Sequence, residues 1–256
     1  MSSDKVVAGA AAAVADILPG SSVAVGGFGL AGIPWFLIEA LLDQGADDLT
    51  VISNNCGVDG GGLGLLLEAG RISRVIASYV GENREFARQY LTGEVTVELT
   101  PQGTLAERLR AGGAGIGGFF TPTGVGTAVS EGGLPWRHHP DGSVAIASPP
   151  KEVRTIAGRQ MVLEHAIAAD IALVRATVAD RAGNCRFHRS ARNFNPAVAT
   201  SGRLTIVEAE TLVEVGEIDP DDVHLPGVFV QRVVALTAQQ AARKDIEKRT
   251  TRVREA

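Results

Sequence analysis

The chain has 256 residues, of which 45% are hydrophobic and 21% charged, and its net charge is −5. It is long enough to bury a sizeable core, and no basic block interleaved with aromatics argues for nucleic acid as a partner. Two cysteines, Cys56 and Cys185, form no CxxC pair, and no histidine cluster has ligand spacing, so neither a disulfide framework nor a structural zinc site is expected and a reducing cytoplasm fits.

Residues 1–20 lack the basic-then-apolar layout of a signal segment, and no apolar run is long enough to span a bilayer. The Ala-rich run 8–13, followed by valines and Asp16 at helical spacing, reads as a helix. Short β-branched runs then alternate with longer helical patterns, the signature of a parallel sheet wrapped by helices. Strands are expected over 22–25, 49–53, 74–78, 95–99, 143–147, 171–176, 204–208 and 229–234. Pro34 suits the first turn of a helix that places Ile33, Phe36, Leu37, Ala40 and Leu41 on one face. A second helix follows Asn83, with Phe86, Tyr90 and Leu91 on its buried side. Thr104 reads as the N-cap of a helix over 105–111, with Glu107 at the capping-box position. The Gly-, Pro- and Thr-rich stretch 112–140 is too long for a simple connection and reads as a functional or interface loop. One α/β domain over 1–236 is expected, followed by a polar, charge-mixed tail over 237–256 that forms a solvated helix or frayed end.

Gly27-Phe28-Gly29-Leu30-Ala31-Gly32 satisfies G-x-G-x-x-G between a strand and a helix, the setting of a dinucleotide fingerprint. The second half of that fingerprint fails. An acid should end the next strand, yet 49–53 runs into Asn54-Asn55, and Asp47 and Asp48 stand at its wrong end. Two readings of the loop remain. Successive N–H groups at a helix N-terminus could form an anion cradle, or the glycines could simply permit a tight strand-to-helix turn.

The same residues resemble a known family. Val25-Gly26-Gly27-Phe28-Gly29-Leu30-Ala31-Gly32-Ile33-Pro34 is similar to the first signature of class I CoA-transferases, although Pro19-Gly20 stands where the family has an acid or Asn and a glycine. Further segments resemble it in the same order: Ser53-Asn54-Asn55-Cys56-Gly57, Ser78-Tyr79-Val80-Gly81-Glu82-Asn83, Glu98–Arg108, Thr121–Thr127 and Ser190-Ala191-Arg192-Asn193-Phe194-Asn195. Together they run from about residue 20 to 235. The segment around Gly81-Glu82-Asn83 and the run 97–108 look most like the succinyl-CoA:3-oxoacid branch, which handles acetoacetate. The 3-oxoadipate branch is close behind and shares the pattern Pro226–Arg232.

The resemblance implies a single open, mostly parallel sheet flanked by helices, of the NagB/RpiA-like kind. It implies a ping-pong transfer of CoA through a glutamyl-CoA thioester. That glutamate belongs to a Ser-Glu-Asn-Gly type segment on a second polypeptide, and no such segment occurs here. This chain is therefore expected to be the non-nucleophilic (alpha) half of a heterodimer or heterotetramer whose B subunit carries the glutamate. CoA is then a substrate, and no metal or other cofactor is expected. Asn54, Asn55 and Gln102, each at a strand end, are the candidate polarising amides, since they offer donors without a buried charge. Gly26, Gly27, Phe28, Gly29, Leu30, Ala31 and Gly32 are the candidate wall for CoA or the acyl group. A CoA-dependent hydrolase or lyase on the same fold is the alternative chemistry. A sugar-phosphate-binding module is a third reading, and no phosphate-binding Arg/Lys set is evident near the glycine loop.

Other residues read as structural. Glu82 caps or pairs near the following helix, and Glu131 has no catalytic support. His138-His139 is a solvated pair without a further ligand. His188, between Arg186 and Arg189, could reach a carboxylate or phosphate but reads as an ordinary position. Arg192 and Asn193 are structural or interfacial, and Cys56 is a pocket-wall residue with no base nearby in sequence.

Overall fold

A computed structural model of the chain describes residues 4–244. Its strands are β1 (Ser22–Val25), β2 (Leu49–Ile52), β3 (Ile72–Ala77), β4 (Thr96–Leu99), β5 (Gly118–Thr121), β6 (Pro135–His138) and β7 (Val144–Ala147). They continue as β8 (Val153–Ile156), β9 (Arg159–His165), β10 (Ala169–Asp180), β11 (Cys185–Arg186), β12 (Gly202–Val213) and β13 (Arg232–Ala235). The α-helices are α1 (Ala10–Val14), α2 (Trp35–Gln44), α3 (Gly64–Glu68), α4 (Arg84–Leu91), α5 (Gln102–Gly113), α6 (Ala128–Glu131), α7 (Asn195–Ser201) and α8 (Ala238–Ala241).

The main sheet runs in the order β4-β3-β2-β1-β10-β12-β13, every pair parallel, with the short β11 antiparallel to β10. The central strands β1, β2 and β10 bury both faces, which is why they read as continuous apolar runs. Successive residues alternate between two cores. Val23, Val25, Val51, Val75 and Leu173 join the core under α1, α2, α3 and α4. Ala24, Ile52, Ile76, Ala172 and Val174 join the core under α5 and α7. The strand order reverses direction at β1, between β2 and β10, so the crevice beyond Val25 is the place where open α/β sheets bind ligands.

Local differences from the sequence reading have physical causes. In α2 the buried residues are Leu37, Ile38 and Leu41, while Phe36 and Ala40 are half-buried. Asn83 caps α4, and Phe86 is buried, but Leu91 is 58% exposed because it lies about 140° around the helix from Phe86. Thr104 is not an N-cap. The helix α5 begins at Gln102, with Pro101 as the flanking residue, so Thr104 sits inside the first turn and is buried. Glu107 pairs instead with Arg110 at 2.8 Å on the surface.

The stretch 112–140 is not one loop. It opens an excursion over about 117–166 that forms a three-stranded sheet, β5-β9-β8, and a β6-β7 hairpin, all antiparallel. The expected strand at 143–147 exists as β7, but it belongs to this hairpin rather than to the parallel sheet. Partners such as Phe120 and Leu163 pair across more than forty residues, which no local pattern announces. The excursion is clasped to the main sheet by charge. Arg108 donates to Glu98 at 2.6 Å and to the His165 carbonyl at 2.8 Å, and Arg74 meets the other Glu98 oxygen at 2.6 Å.

Residues beyond 236 dock as far as they are described. Thr237 and Gln240 form a capping box at α8. Arg243 stacks over Trp35 and Phe36 and pairs with Glu39, and Lys244 pairs with Glu210 at 2.7 Å. Residues 245–256 of the expected tail lie outside the described residues. Among the described residues no helix is long and apolar enough to cross a membrane.

Candidate active site

The glycine loop is held from both sides. Phe28 and Ala31 exchange N–H to carbonyl bonds at 3.0 Å each, closing a tight reversal. The Asn54 side-chain oxygen accepts the Gly29 N–H at 3.0 Å. On the far side, Asn193 donates to the Ala31 carbonyl at 3.1 Å, and Asn195 donates to the carbonyls of Gly32 and Ala191, both at 2.9 Å. A side chain on Gly26 would place its Cβ 2.0 Å from Asn195 Oδ1, and one on Gly27 would stand 2.4 Å from Ile33. These glycines are therefore required by close approach.

This network occupies four of the N–H groups that an anion cradle would use. The N–H groups of Gly26, Phe28, Gly29 and Ala31 are all spent within the chain. The N-terminus of α2 already holds an anion as well. Glu208 Oε2 accepts the N–H groups of Phe36 at 2.9 Å and Leu37 at 3.0 Å, and its other oxygen pairs with Arg175 at 3.2 Å. Burial pushes the Glu208 carboxyl up to about 7, against the pull of Arg175 and the two N–H groups. The loop is a wall, with Phe28 half-exposed on its tip and Leu30 buried behind it.

The three candidate amides are placed differently. Asn54, at the end of β2, spends its oxygen on Gly29, and its Nδ2 makes no hydrogen bond among the described residues. Asn55 lines a cavity of about 10 Å³ with Gly26, Gly29, Ser53 and Gly57, at the lower limit for one water. Its one bond among the described residues, to the Gly57 carbonyl, is long at 3.5 Å. Gln102 opens α5, and its Nε2 is buried without a hydrogen-bond partner. The strand ends run in step, since Ser78 N–H donates to the Asn54 carbonyl at 3.0 Å and Thr100 N–H to the Ala77 carbonyl at 2.9 Å. Asn54 and Gln102 thus follow strands two apart on one edge, a separation of about 10 Å from strand spacing. Ser78, which sequence reasoning passed over, stands between them, and its hydroxyl is also buried without a partner. Buried, unpaired donors are rare and call for an explanation.

Among the described residues no free carboxylate joins this row. Glu98 is buried but committed: burial tends to raise its pKa, and Arg108 and Arg74 outweigh that and hold it below the ordinary range. Glu82 is exposed in a left-handed conformation (φ 63°) and does not cap α4. That role falls to Asn83, whose oxygen accepts the Phe86 N–H at 2.8 Å, and to Asp59, which accepts those of Arg84 and Glu85. Glu131 is exposed at the end of α6, in the excursion. Cys56 is fully buried, with its thiol pushed up to about 12 by burial, so it offers no thiolate. His138 packs edge-on against Tyr90 at 5.0 Å. No group of three His, Cys, Asp or Glu among the described residues could hold a metal ion.

A doubly covered parallel sheet and a glycine wall at its switch point define an α/β protein, with Asn54, Ser78 and Gln102 along the ligand edge. The coenzyme A transferase family model matches residues 7–236, and the chain belongs to that family as one subunit of a CoA-transferase. It is 61% identical over 249 residues to a Mycobacterium tuberculosis H37Rv protein named as the A subunit of a probable succinyl-CoA:3-ketoacid coenzyme A transferase, covering 97% of this chain and 99% of that one. A Bacillus subtilis protein of the same name is 53% identical over 246 residues, 96% of this chain and 94% of its own. A human protein, "Succinyl-CoA:3-ketoacid coenzyme A transferase 2, mitochondrial", is 55% identical over 221 residues, 86% of this chain but 43% of the human one. An acyl-CoA transferase from E. coli O157:H7, solved as a thioester complex with CoA, shares the fold with a TM-score of 0.76 at 23% identity, over 92% of this chain and 48% of that one.

Proposed function

We propose that this chain is the non-nucleophilic subunit of a transferase that moves CoA from succinyl-CoA to a 3-oxo acid, acetoacetate. The complementary B subunit supplies the attacking glutamate, in a heterodimer or heterotetramer. The observation that carries the reading is the edge formed by Asn54, Ser78 and Gln102, which offers donors with no carboxylate among them. The names of the relatives that match over nearly their full length support the substrates. The human relative, more than twice as long as the part matched, fits a partner fused into one chain.

The chemistry divides between the chains. The partner's carboxylate attacks the thioester carbonyl of succinyl-CoA, the C–S bond breaks, and a mixed anhydride and CoA thiolate result. The thiolate then attacks the glutamyl carbonyl of the anhydride, releasing succinate and leaving glutamyl-CoA. Acetoacetate reverses these steps to leave as acetoacetyl-CoA. Every addition develops negative charge on a carbonyl oxygen, and preorganised amide donors stabilise it without reorganisation. Gln102 is our choice for that donor, because its buried Nε2 has no hydrogen-bond partner among the described residues. Asn54 orients the glycine wall with one end and offers the other to substrate. Asn55 lines the small cavity beside the wall. Both buried cysteines are reduced, which suits the cytoplasm.

Co-purification with the partner, followed by succinyl-CoA and then borohydride or hydroxylamine, tests this reading. The adduct is expected on a glutamate of the partner and nowhere on this chain. An adduct on Glu82, or steady release of CoA into water without an acceptor acid, would replace it with a different assignment or with the hydrolase.

A further inference from the structure

We propose that Arg243 is a positioning residue for the transfer: it holds the Trp35 ring, and through that ring the two loops that end in the ligand edge. The role rests on the transferase reading above. It belongs to a segment beyond residue 236, where the match to the family model ends.

That segment is tied down by charge and not by a core. No residue of α8 is buried. The buried Arg175 guanidinium donates to the Ala241 carbonyl at 3.0 Å, and Lys244 pairs with Glu210 at 2.7 Å. Arg243 pairs with Glu39 on α2, and its guanidinium carbon lies 4.8 Å from the centre of the Trp35 ring and 5.6 Å from that of Phe36. The Arg243 and Glu39 side chains are 38% and 34% exposed, so their ion pair contributes little alone. Stacking on the two rings is what fixes the guanidinium, and the rings in turn.

Trp35 stands where both site loops converge. It is the first residue of α2 and follows Gly32 by three positions, so its backbone continues the glycine wall. Its ring packs on the loop after β2, since a Cβ on Gly61 would stand 3.6 and 3.8 Å from two ring carbons. Val58 and Gly61 close that loop by exchanging N–H to carbonyl bonds at 3.1 and 3.0 Å. Gly57 lies tightly inside it, its Cβ position 2.4 Å from the Gly61 carbonyl oxygen, and Asn54 and Asn55 follow directly upstream. The two loops also meet without Trp35: a Cβ on Gly62 would lie 3.0 Å from both Leu30 and Ile33. Backbone packed this closely has no slack, so a shift of the Trp35 ring is passed to Gly61 and on to the bond between Asn54 and the Gly29 N–H.

The consequence falls on the chemical step. Polarising amides act only where they are preorganised, and a displacement of about 1 Å can remove most of their effect. Arg243 touches no reacting atom. Its loss should therefore lower kcat and kcat/KM together and leave KM unchanged, the pattern of a contribution made only in the transition state.

The test uses the reconstituted two-subunit enzyme carrying Arg243→Gln, which loses the charge and the planar stack but keeps much of the stem. The kcat should fall about tenfold, with KM for succinyl-CoA and for the 3-oxo acid unchanged. Arg243→Lys keeps the cation and should recover part of the loss. In a Trp136→Phe background Trp35 is the remaining tryptophan, and Arg243→Gln should move its emission to longer wavelength. Amide hydrogen exchange should quicken over residues 54–63 while the excursion 117–166 exchanges as before. An unchanged emission overturns the proposal. So does quickened exchange with normal kcat, and so does a lowered kcat with unchanged exchange over 54–63. Emission and exchange need no turnover, so an absence of transfer in the wild type would count against the transferase reading, while quickened exchange would still uphold the coupling.

Discussion

Asn195 Oδ1 occupies the space that a side chain on Gly26 would need, 2.0 Å from the ideal Cβ position. Asn195 cannot give way cheaply. It is fully buried, its amide holds the carbonyls of Gly32 and Ala191, and its oxygen accepts the Arg175 N–H at 3.2 Å. Gly26→Ala should cost about 3 kcal/mol or more, since moving Asn195 strands several buried donors and acceptors. Gly29→Ala is the control. Nothing lies within 4 Å of its Cβ position, so only its φ of +58° is penalised, at about 1–2 kcal/mol. Thermal melts of the two variants check this, and equal Tm losses would show that the loop is limited by backbone conformation rather than by Asn195.

Gln102→Ala should separate activity from stability. The Gln102 amide nitrogen is buried and makes no hydrogen bond among the described residues, so its removal strands no partner there. The melting temperature of the isolated subunit should stay the same or rise slightly. Turnover of the assembled enzyme should fall about a hundredfold if the amide meets the developing oxyanion. Near-normal turnover with intact assembly would remove Gln102 from the chemistry.

Much of this molecule was legible because a buried parallel strand announces itself. The runs that became β1, β2, β3 and β4 are short, apolar and punctuated, and the helices between them carry periodic apolar faces. The amide positions followed, since Asn54, Asn55 and Gln102 lie just beyond those strands. The excursion was hidden because its strands pair at long range and expose much of their surface: all four residues of β7 and of β8 are exposed. The anion at α2 was hidden for a related reason. The glycine loop reads as an empty cradle in sequence, yet Glu208, some 170 residues later, fills the helix terminus. Likewise the Arg189–Arg192 turn meets Gly32 only in three dimensions. Sequence order conveys which side chains end a strand, but not which distant backbone closes on them.

The Glu98 clasp should govern acid stability. Its folded pKa is lowered, so the folded chain binds that proton less tightly than the unfolded chain. The stabilisation is therefore complete above the unfolded value and is lost as pH falls through the folded one. Glu98→Gln should lower stability by about 1–3 kcal/mol at neutral pH, because Arg108 is left without its charged acceptor. The gap between the two proteins should close as the pH is taken from about 5 toward about 3. A gap that stays constant over that range would mean the carboxylate's charge contributes nothing.

Arg175 is the node at which the wall, α2 and the C-terminal segment meet. Its backbone N–H holds Asn195, while its guanidinium holds Glu208 at 3.2 Å, Glu210 at 3.0 Å and the Ala241 carbonyl at 3.0 Å. Removing only the guanidinium leaves Glu208 buried, already strained toward protonation and without its counter-ion. Arg175→Met should therefore destabilise by about 3–5 kcal/mol, roughly 6–20 °C in Tm. Adding Glu208→Gln should recover part of that loss, since a neutral amide can still accept the Phe36 and Leu37 N–H groups. The recovery is the informative quantity. Strictly additive losses in the double variant would mean that Glu208 stabilises the chain by capping α2 alone, with no coupling to Arg175.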